Sequence, residues 1–262
     1  MVKPEIAELL EREAARIHCP EFVASDPVQF PRRFSTKADI EIAALLASHL
    51  AWGNRKMICR DIERLLGWMD NQPARWVAEG EFEAIPDEQN VHRTFFGRNL
   101  KHLCRGLRKI YSKYGSLDEF CERSGAAASE APAWSLAASL NAQMAAANGG
   151  RDDSRCLPLA LESSALKRLN MALRWLVRKD LGVVDLGVWD SLRPSQLFIP
   201  LDVHVGNTSR ALGLTSRKAN DRRTAVEITE RLRELRPEDP TWFDFALFGI
   251  GEEGGLVKSE ND

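Results

Sequence analysis

Through most of this chain, apolar residues recur at every third or fourth position, which is the spacing that places them on one face of an α-helix. In the segment RKMICRDIERLLGWM, the apolar residues Ile58, Ile62 and Leu65 alternate with charged residues that would face solvent. No segment sustains the apolar–polar alternation that is typical of a half-buried strand. The chain is therefore predicted to be all-α, with irregular segments at 19–37 and 180–200, where Pro or Gly accumulates.

Composition restricts the kinds of protein that this chain can be. It has 262 residues, 44% of them hydrophobic, which is enough for one large or two small domains with a core. Its apolar runs are shorter than the about 18 residues that a membrane helix needs, and its charged, amphipathic start does not resemble a signal peptide. The five cysteines are scattered and form no C-x-x-C pair, so neither a zinc site nor a disulfide framework is indicated. We expect a cytoplasmic protein without a membrane segment, a metal or a cofactor.

Net charge is −2, so affinity for nucleic acid would have to come from a local basic face. The segment 91–115 offers one, because it is predicted as a helix with an apolar side and a basic side. The apolar side carries Val91, Phe95, Leu103, Leu107 and Ile110, and the basic side carries Arg98, Lys101, Arg105, Arg108, Lys109 and Lys113. Such a face can follow a phosphate backbone, but basic residues are also common on the solvated face of an ordinary helix.

A polar and aromatic turn, SHLAWGNRK, joins a helix that begins near residue 39 to the next one, which starts at Arg55. The first helix is apolar almost all round and is expected to be buried. The turn has two interpretations. It is either a plain connection with Trp52 in the core, or a loop that presents His49, Trp52 and Asn54 to a bound molecule.

The segment LESSALKRLN carries the first candidate for chemistry. The small residues Ser163, Ser164 and Ala165 precede a predicted helix, and a tight turn into a helix N-terminus exposes N–H groups that can bind phosphate. Lys167 lies at the start of that helix beside Arg168, and a lysine that is partly desolvated near another cation can act as a nucleophile. An ordinary surface lysine on an amphipathic helix is the alternative.

Asp202 is the candidate carboxylate. It follows the apolar run FIPL and is predicted to open a helix as its N-cap, as Asp221 is for the helix after it. A carboxylate in such a partly dry setting can stabilise positive charge or accept a proton. Both a catalytic role and a purely capping role are consistent with this position.

Four segments resemble, in order, parts of the helix-hairpin-helix DNA glycosylases. LESSALKRLN is similar to their hairpin L-P-G-V-G-x-K-T-A, with Lys167 in the position of the Schiff-base lysine, and IPLDVHVGNTSRALGL to V-D-T-H-V-x-R…R-L-G, with Asp202 as the catalytic carboxylate. The helix pair DIEIAALLASHLAWGNRKMICRDIERLL and the segment RLRELRPEDPTWFDFALFGIG resemble the early and late helix pairs. The signature K-R-L-N-x-x-L-R-W-x-V-R is similar to that of a divergent, uncharacterised bacterial branch of the DUF2400 type.

This resemblance implies a two-lobed, all-α fold with a cleft between the lobes. The first lobe would contain residues 38–190 and the second residues 1–37 with 191–251, followed by a disordered tail, 252–262. It also implies a monomeric DNA repair enzyme that excises a damaged base from duplex DNA, with or without an AP lyase step at Lys167. Besides Lys167 and Asp202, the residues expected at the DNA are His49, Trp52, Asn54, Arg55, Ser163, Ser164, Ala165, Arg168, Arg174, Trp175, Arg178, His204 and Asn207.

Some of these residues keep two interpretations. Trp175 could stack on an extruded base or lie in the core, and His204 could contact DNA or bond the backbone at the start of its helix. The sequence also departs from the glycosylase pattern in three ways. Ser163 and Ala165 replace hairpin glycines, the four iron–sulfur cysteines after Phe248 are absent, so no iron–sulfur cluster is expected, and residues 180–200 have no counterpart.

Two other functions remain open at this level. The first is a non-catalytic DNA- or RNA-binding protein that kept the glycosylase fold. The second is an all-α interaction protein.

Overall fold

The structure, a computed structural model, describes residues 2–252, which contain twelve α-helices and one two-stranded sheet. The elements before residue 150 are α1 (Pro4–Ile17), α2 (Pro20–Val23), α3 (Lys37–Leu50), α4 (Arg55–Trp68), α5 (Pro73–Glu79), β1 (Asn90–His92), β2 (Phe95–Phe96), α6 (Gly97–Tyr114), α7 (Leu117–Arg123) and α8 (Pro132–Ala147). Those after it are α9 (Lys167–Val177), α10 (Val203–Ala211), α11 (Arg222–Arg233) and α12 (Asp244–Glu252).

The prediction of an all-α protein is confirmed, with one local correction. Helix α6 begins only at Gly97, whereas Val91 and Phe95 lie in β1 and β2, which pair antiparallel. Between the strands, Arg93 has a φ of 50°, the left-handed conformation of a tight turn, which a helix cannot contain. The helical spacing of Val91 and Phe95 is therefore a coincidence of sequence.

Local capping signals explain where several helices begin. Thr36, Asn54 and Ser116 occupy the N-cap positions of α3, α4 and α7. Each side-chain oxygen accepts a hydrogen bond from a backbone N–H three residues further on, at 3.2, 3.3 and 3.0 Å respectively. These bonds satisfy donors that a helix leaves without a partner in its first turn.

The described chain divides into two compact units. The first unit contains the residues up to 22 together with 160–187 and 192–252, and the second contains 23–159 and 188–191. Residues 160–187, which the sequence places with the central lobe, thus group with both ends of the described chain.

In the first unit, α12 is the central helix and packs against α1 and α10. It is apolar almost all round, and two glycines allow its neighbours to approach closely. A Cβ on Gly249 would lie 2.8 Å from Ile17, and a Cβ on Gly251 would lie 2.9 Å from the hydroxyl of Thr208. Larger residues at either position would push the helices apart.

In the second unit, α3 is the buried helix and packs against α4 and α5. Its carboxylate Glu41 accepts hydrogen bonds from the hydroxyl of Tyr111 at 2.7 Å and from the N–H groups of Leu117 and Asp118 at 2.9 and 3.2 Å. Glu41 thus satisfies the first donors of α7 from inside the core. Burial raises the pKa of Glu41 above its ordinary value despite these hydrogen bonds.

Within residues 2–252, no helix combines the length and the apolar character that crossing a bilayer requires. Apart from residue 252, the predicted tail 252–262 lies outside the described residues.

Candidate active site

The turn that leads into α9 differs from the expected hairpin. A short 3-10 helix (Leu161–Ser163) stands ahead of α9 and follows irregular chain, so no α-helix adjoins the turn on that side. The hydroxyl of Ser163 donates to the backbone oxygen of Ala160 at 3.1 Å, and that of Ser164 accepts from the N–H of Leu166 at 3.2 Å. Both hydroxyls therefore hold the turn itself.

Leu166 occupies the left-handed position of this turn, with a φ of 49°, a conformation in which glycine is far more common. Its side chain is buried, and the amide of Asn170 donates to the backbone oxygen of Ala165 at 3.0 Å. Ala165 is buried as well. The burial of these two side chains and this hydrogen bond stabilise a turn for which the glycosylase hairpin uses glycines. Lys167 follows the turn as the first residue of α9.

Asp202 is the N-cap of α10, as predicted. Its Oδ1 accepts from the N–H of Val205 at 2.9 Å, and its backbone oxygen accepts from the side chain of Asn220 at 3.1 Å. The apolar run before it is anchored by the N–H of Ile199, which donates to the hydroxyl of Thr229 at 3.0 Å. Capping uses one carboxylate oxygen, and Oδ2 remains for another partner.

That partner is Lys167. Its Nζ lies 3.8 Å from Oδ2 of Asp202, and both side chains are about a quarter exposed, at 29% and 24%. The structure thus brings together two residues that are far apart in the chain, each at the start of a helix. At 3.8 Å the pair is an ion pair rather than a hydrogen bond, so proton transfer requires the two groups to approach to about 3 Å.

A buried network of charges lies further along α9. Arg174 contacts Asp244 and also lies 3.4 Å from Asp185, whereas Arg178 contacts Asp185 and forms two hydrogen bonds of 3.0 Å from its Nε to Asp239. Arg174 and Arg178 are only 3% and 4% exposed. The expectation that they contact DNA is therefore corrected: their guanidinium groups bind carboxylates in the interior.

The network contains two cations and three carboxylates. Burial outweighs the arginines at Asp185, so its pKa is raised above the ordinary value. Burial also raises the pKa of Asp244 to about 6, with Arg174 and Lys167 lowering it and the negative charge of Asp202 raising it. The charges of the Lys167–Asp202 pair thus act on a buried carboxyl group nearby.

Asp180 accepts hydrogen bonds within the loop that follows α9 and contains Asp185. One of its oxygens accepts from Nε2 of His18 at 2.7 Å and from the N–H groups of Val184 and Asp185, both at 2.9 Å. Burial raises the pKa of Asp180, but these hydrogen bonds lower it by more, so it lies well below its usual range. Asp185 lies in this loop, within the residues 180–200 that have no counterpart in the glycosylases. Its carboxylate contacts both Arg174 and Arg178.

Of the remaining candidates in the first unit, Trp175 is fully buried, and its indole nitrogen has no hydrogen-bond partner among the described residues. It is a core residue here. His204 is exposed and its ring makes no hydrogen bond to the described residues, so the predicted bond to the helix start is absent; Asp202 provides that cap instead. Asn207 is exposed and accepts from Arg210 at 3.2 Å, and Arg168 is half-buried.

The candidates of the turn before α4 lie in the second unit. His49 is buried and packs edge-on against Phe95, with 4.6 Å between ring centroids. Trp52 is half-buried beneath the guanidinium group of Arg93, 4.6 Å from the ring centroid. Asn54 is exposed but caps α4, and the half-buried Arg55 is the first residue of that helix.

The pair His92–Asp61, which the sequence did not indicate, fixes the backbone of this turn. The ring of His92 is buried and contacts Asp61 at 2.8 Å through Nδ1 and the backbone oxygen of Trp52 at 2.9 Å through Nε2. Burial raises the pKa of Asp61, but the hydrogen bonds from His92 and Arg60 lower it by more.

Three of the six residues on the basic side of α6 form ion pairs with acids. Arg98 and Lys101 pair with Glu88 and Asp87 at 3.3 and 2.7 Å, and Arg105 forms an ion pair with Glu83. Because these acids lie in the segment just before the sheet, the face is a mixture of charges. At these three positions, the interpretation as an ordinary solvated helix face fits better than a track for phosphates.

The acids of this network and its loop that sequence analysis missed are Asp180, Asp185, Asp239 and Asp244. One signal was present: Asp244 is a single carboxylate inside the apolar run TWFDFALFGIG, where an unpaired charge would be unfavourable. No group of three or more His, Cys, Asp or Glu side chains within the described residues has an arrangement that could hold a metal ion.

A comparison with protein families gives one result. The model of a family described as Protein of unknown function (DUF2400) matches residues 26–253, which confirms the predicted likeness to that uncharacterised family. No curated protein and no solved structure matches the chain. The family description names no activity, so function has to be argued from the site.

Proposed function

Because the chain belongs to a family of unknown function, DUF2400, we propose from the site itself that it is a DNA glycosylase with an AP lyase step. One observation carries the proposal: Nζ of Lys167 lies 3.8 Å from Oδ2 of Asp202 at the surface of the first unit. An amine nucleophile and a nearby carboxylate that can accept its proton are the two groups that base excision with an AP lyase step needs. The resemblance to helix-hairpin-helix glycosylases, including their fold type, is part of this proposal.

The reaction would break the bond between C1′ of a damaged nucleotide and its base, after the nucleotide has turned out of the duplex. Positive charge develops at C1′ as this bond lengthens. The carboxylate of Asp202 would stabilise that charge, because it is held in place by its hydrogen bond to Val205 and is only partly solvated. The departing base takes the electron pair of the broken bond and a proton.

Lys167 would be the nucleophile. After the bond to the base has broken, its ammonium group gives a proton to Asp202, and the freed lone pair forms the N–C1′ bond. The nitrogen then loses a second proton, and its lone pair forms C1′=N while the C1′–O4′ bond breaks and O4′ takes up a proton. Borohydride reduces this imine to a stable amine and thereby links the protein to DNA.

The test uses the full chain and duplex oligonucleotides that carry oxidised, deaminated or alkylated bases or an abasic site. We expect the wild type to release at least one of these bases and to form a borohydride adduct. Lys167→Ala should abolish the adduct, and Asp202→Asn should slow base release by at least about 100-fold, the usual effect of losing such a group.

Two variants serve as matched controls. Asp221 caps α11 by accepting from the N–H of Thr224 at 2.9 Å, as Asp202 does for α10, so Asp221→Asn changes a cap without touching Lys167. Lys218→Ala removes an exposed lysine of the same unit. Activity that falls equally in Asp202→Asn and Asp221→Asn would point to capping alone, and a wild type that neither releases a base nor forms an adduct would end the proposal.

The turn before α9 favours one alternative, a non-catalytic protein that binds DNA or RNA. It lacks the hairpin glycines, and the hydroxyls of Ser163 and Ser164 are bonded to the backbone of the turn. This alternative predicts binding that weakens with salt, no chemistry, and the same affinity for Asp202→Asn as for the wild type in a gel-shift assay.

A further inference from the structure

Asp244, the first residue of α12, has no part in the steps above. Its side chain is only 9% exposed and accepts a hydrogen bond from Arg174. The ring of the next residue, Phe245, packs against the same guanidinium group, whose carbon lies 4.4 Å from the ring centroid. Asp244 is therefore fixed in position from two sides.

The geometry of α9 places this carboxyl group on the side of Lys167. Lys167 and Arg174 are seven residues apart, about two helical turns, and so lie on the same face of α9. Because Arg174 binds Asp244, the carboxyl group is held against that face. The charges of both Lys167 and Asp202 act on it, and α10, which Asp202 caps, packs against α12.

Counting charges shows an imbalance in these surroundings. The groups around Asp244 come from α9, the loop after it, the start of α10 and the segment before α12. They are the three cations Lys167, Arg174 and Arg178 and the four carboxylates Asp185, Asp202, Asp239 and Asp244. In addition, His18, which is paired with Asp180, packs against Phe245. Together with Asp180, the carboxylates outnumber these cations, so a proton on a buried carboxyl group reduces the excess of negative charge.

We propose that Asp244 is a positioning residue that takes up this proton and so sets the pH range in which the Lys167–Asp202 pair works. The proposal rests on the glycosylase function proposed above. Ionised Asp244 adds its negative charge to that of Asp202 and helps to stabilise the positive charge that develops at C1′. When a proton from solvent binds and an O–H bond forms on Asp244, that help is lost.

The sign of the pH dependence follows from the titration of Asp244. Since burial raises its pKa to about 6, the carboxyl group is mainly neutral at pH 5 and mainly ionised at pH 7. Base release by the wild type should therefore rise through about pH 6, and this step should be missing in Asp244→Asn.

A control separates this role from a purely structural one. Asp239→Asn removes an Arg–Asp contact from the same network, at Arg178, one helical turn further from Lys167. It should keep the step near pH 6 even if it lowers stability. If Asp244→Asn has the same pH profile as the wild type, the proposal is overturned.

A second measurement does not depend on activity. The carboxyl carbon of Asp244, followed by NMR during a pH titration, should titrate near pH 6 in the wild type. Its midpoint should rise in Lys167→Met, which removes a cation, and fall in Asp202→Asn, which removes a like charge, each by on the order of one pH unit. Asp221→Asn should leave it unchanged.

The two measurements distinguish the failure of each idea. If no base is released but the midpoint moves as expected, the glycosylase function is wrong while Asp244 still responds to the Lys167–Asp202 pair. A midpoint that moves in neither variant would show that Asp244 is independent of the pair and would overturn the inference even in an active enzyme.

Discussion

Replacing Asp180 with alanine tests whether the loop after α9 is organised by one carboxylate. The side chain of Asp180 accepts four hydrogen bonds, from His18 at 2.7 Å, from Val184 and Asp185 at 2.9 Å, and from Gly182 at 3.1 Å. Gly182 is exposed, so water can replace its bond, whereas the other three donors are buried or nearly so. The variant would remove the carboxylate that these three donors share.

The expected loss of stability follows from these three bonds. A hydrogen bond to a charged group contributes about 1.5–3 kcal/mol, so three at the low end give about 4–5 kcal/mol of unfolding free energy. Asp180→Asn keeps an acceptor oxygen and should lose about half as much. Leu181→Ala, in the same loop but with a fully exposed side chain, should change stability by no more than about 0.5 kcal/mol.

Urea unfolding followed by far-UV circular dichroism measures these differences. The folded pKa of Asp180 is lowered from 3.8, so its stabilising contribution is fully present above about pH 4 and is lost as the pH falls towards the folded value. The difference between the wild type and Asp180→Ala should therefore shrink below pH 4. Equal midpoints for Asp180→Ala and Leu181→Ala at pH 7 would refute the reasoning.

Two further predictions concern the second unit and the thiols. His92→Phe should lower the unfolding free energy by about 2–4 kcal/mol, because it leaves the buried carboxylate of Asp61 and the backbone oxygen of Trp52 without the ring that binds them; a shift in the urea midpoint that is no larger than that of Leu181→Ala would contradict this. At pH 8, Ellman's reagent should label at most two of the five cysteines, the half-buried Cys19 and Cys59, and all five in guanidinium. Burial keeps the other thiols from the reagent and raises the pKa of Cys121 to about 12, so rapid native labelling of three or more would contradict the described packing.

The helical character of the chain and several helix starts could be derived from the sequence. Asn54, Asp202 and Asp221 cap helices in the structure, because a side-chain oxygen at a helix start acts through bonds to residues three positions away. Such local interactions can be predicted from the sequence, because both partners lie within a few residues of each other. The periodicity that suggested a helix at Val91 and Phe95 was misleading, because a tight turn at Arg93 overrides spacing.

The candidate site shows where local reasoning ends. Lys167 and Asp202 were chosen by their positions at predicted helix starts and by resemblance, but only the packing of the first unit brings them to 3.8 Å. The sequence could not show that Arg174 and Arg178 turn inward. Helical periodicity tells which residues share a face, not whether another element covers that face.

The sequence by itself thus determined most of the helices and several of their caps, because these depend on neighbours in the chain. It also suggested Lys167 and Asp202 as the candidates for chemistry. The tertiary structure decided which charges meet. It paired Arg174 and Arg178 with Asp185, from the loop just after α9, and with Asp239 and Asp244, which lie 61 and 70 residues further along the chain than their partners. It also showed that Asp180 binds His18 and the backbone of the loop after α9. The energy of a buried charge depends on every group packed around it, whatever their separation along the chain.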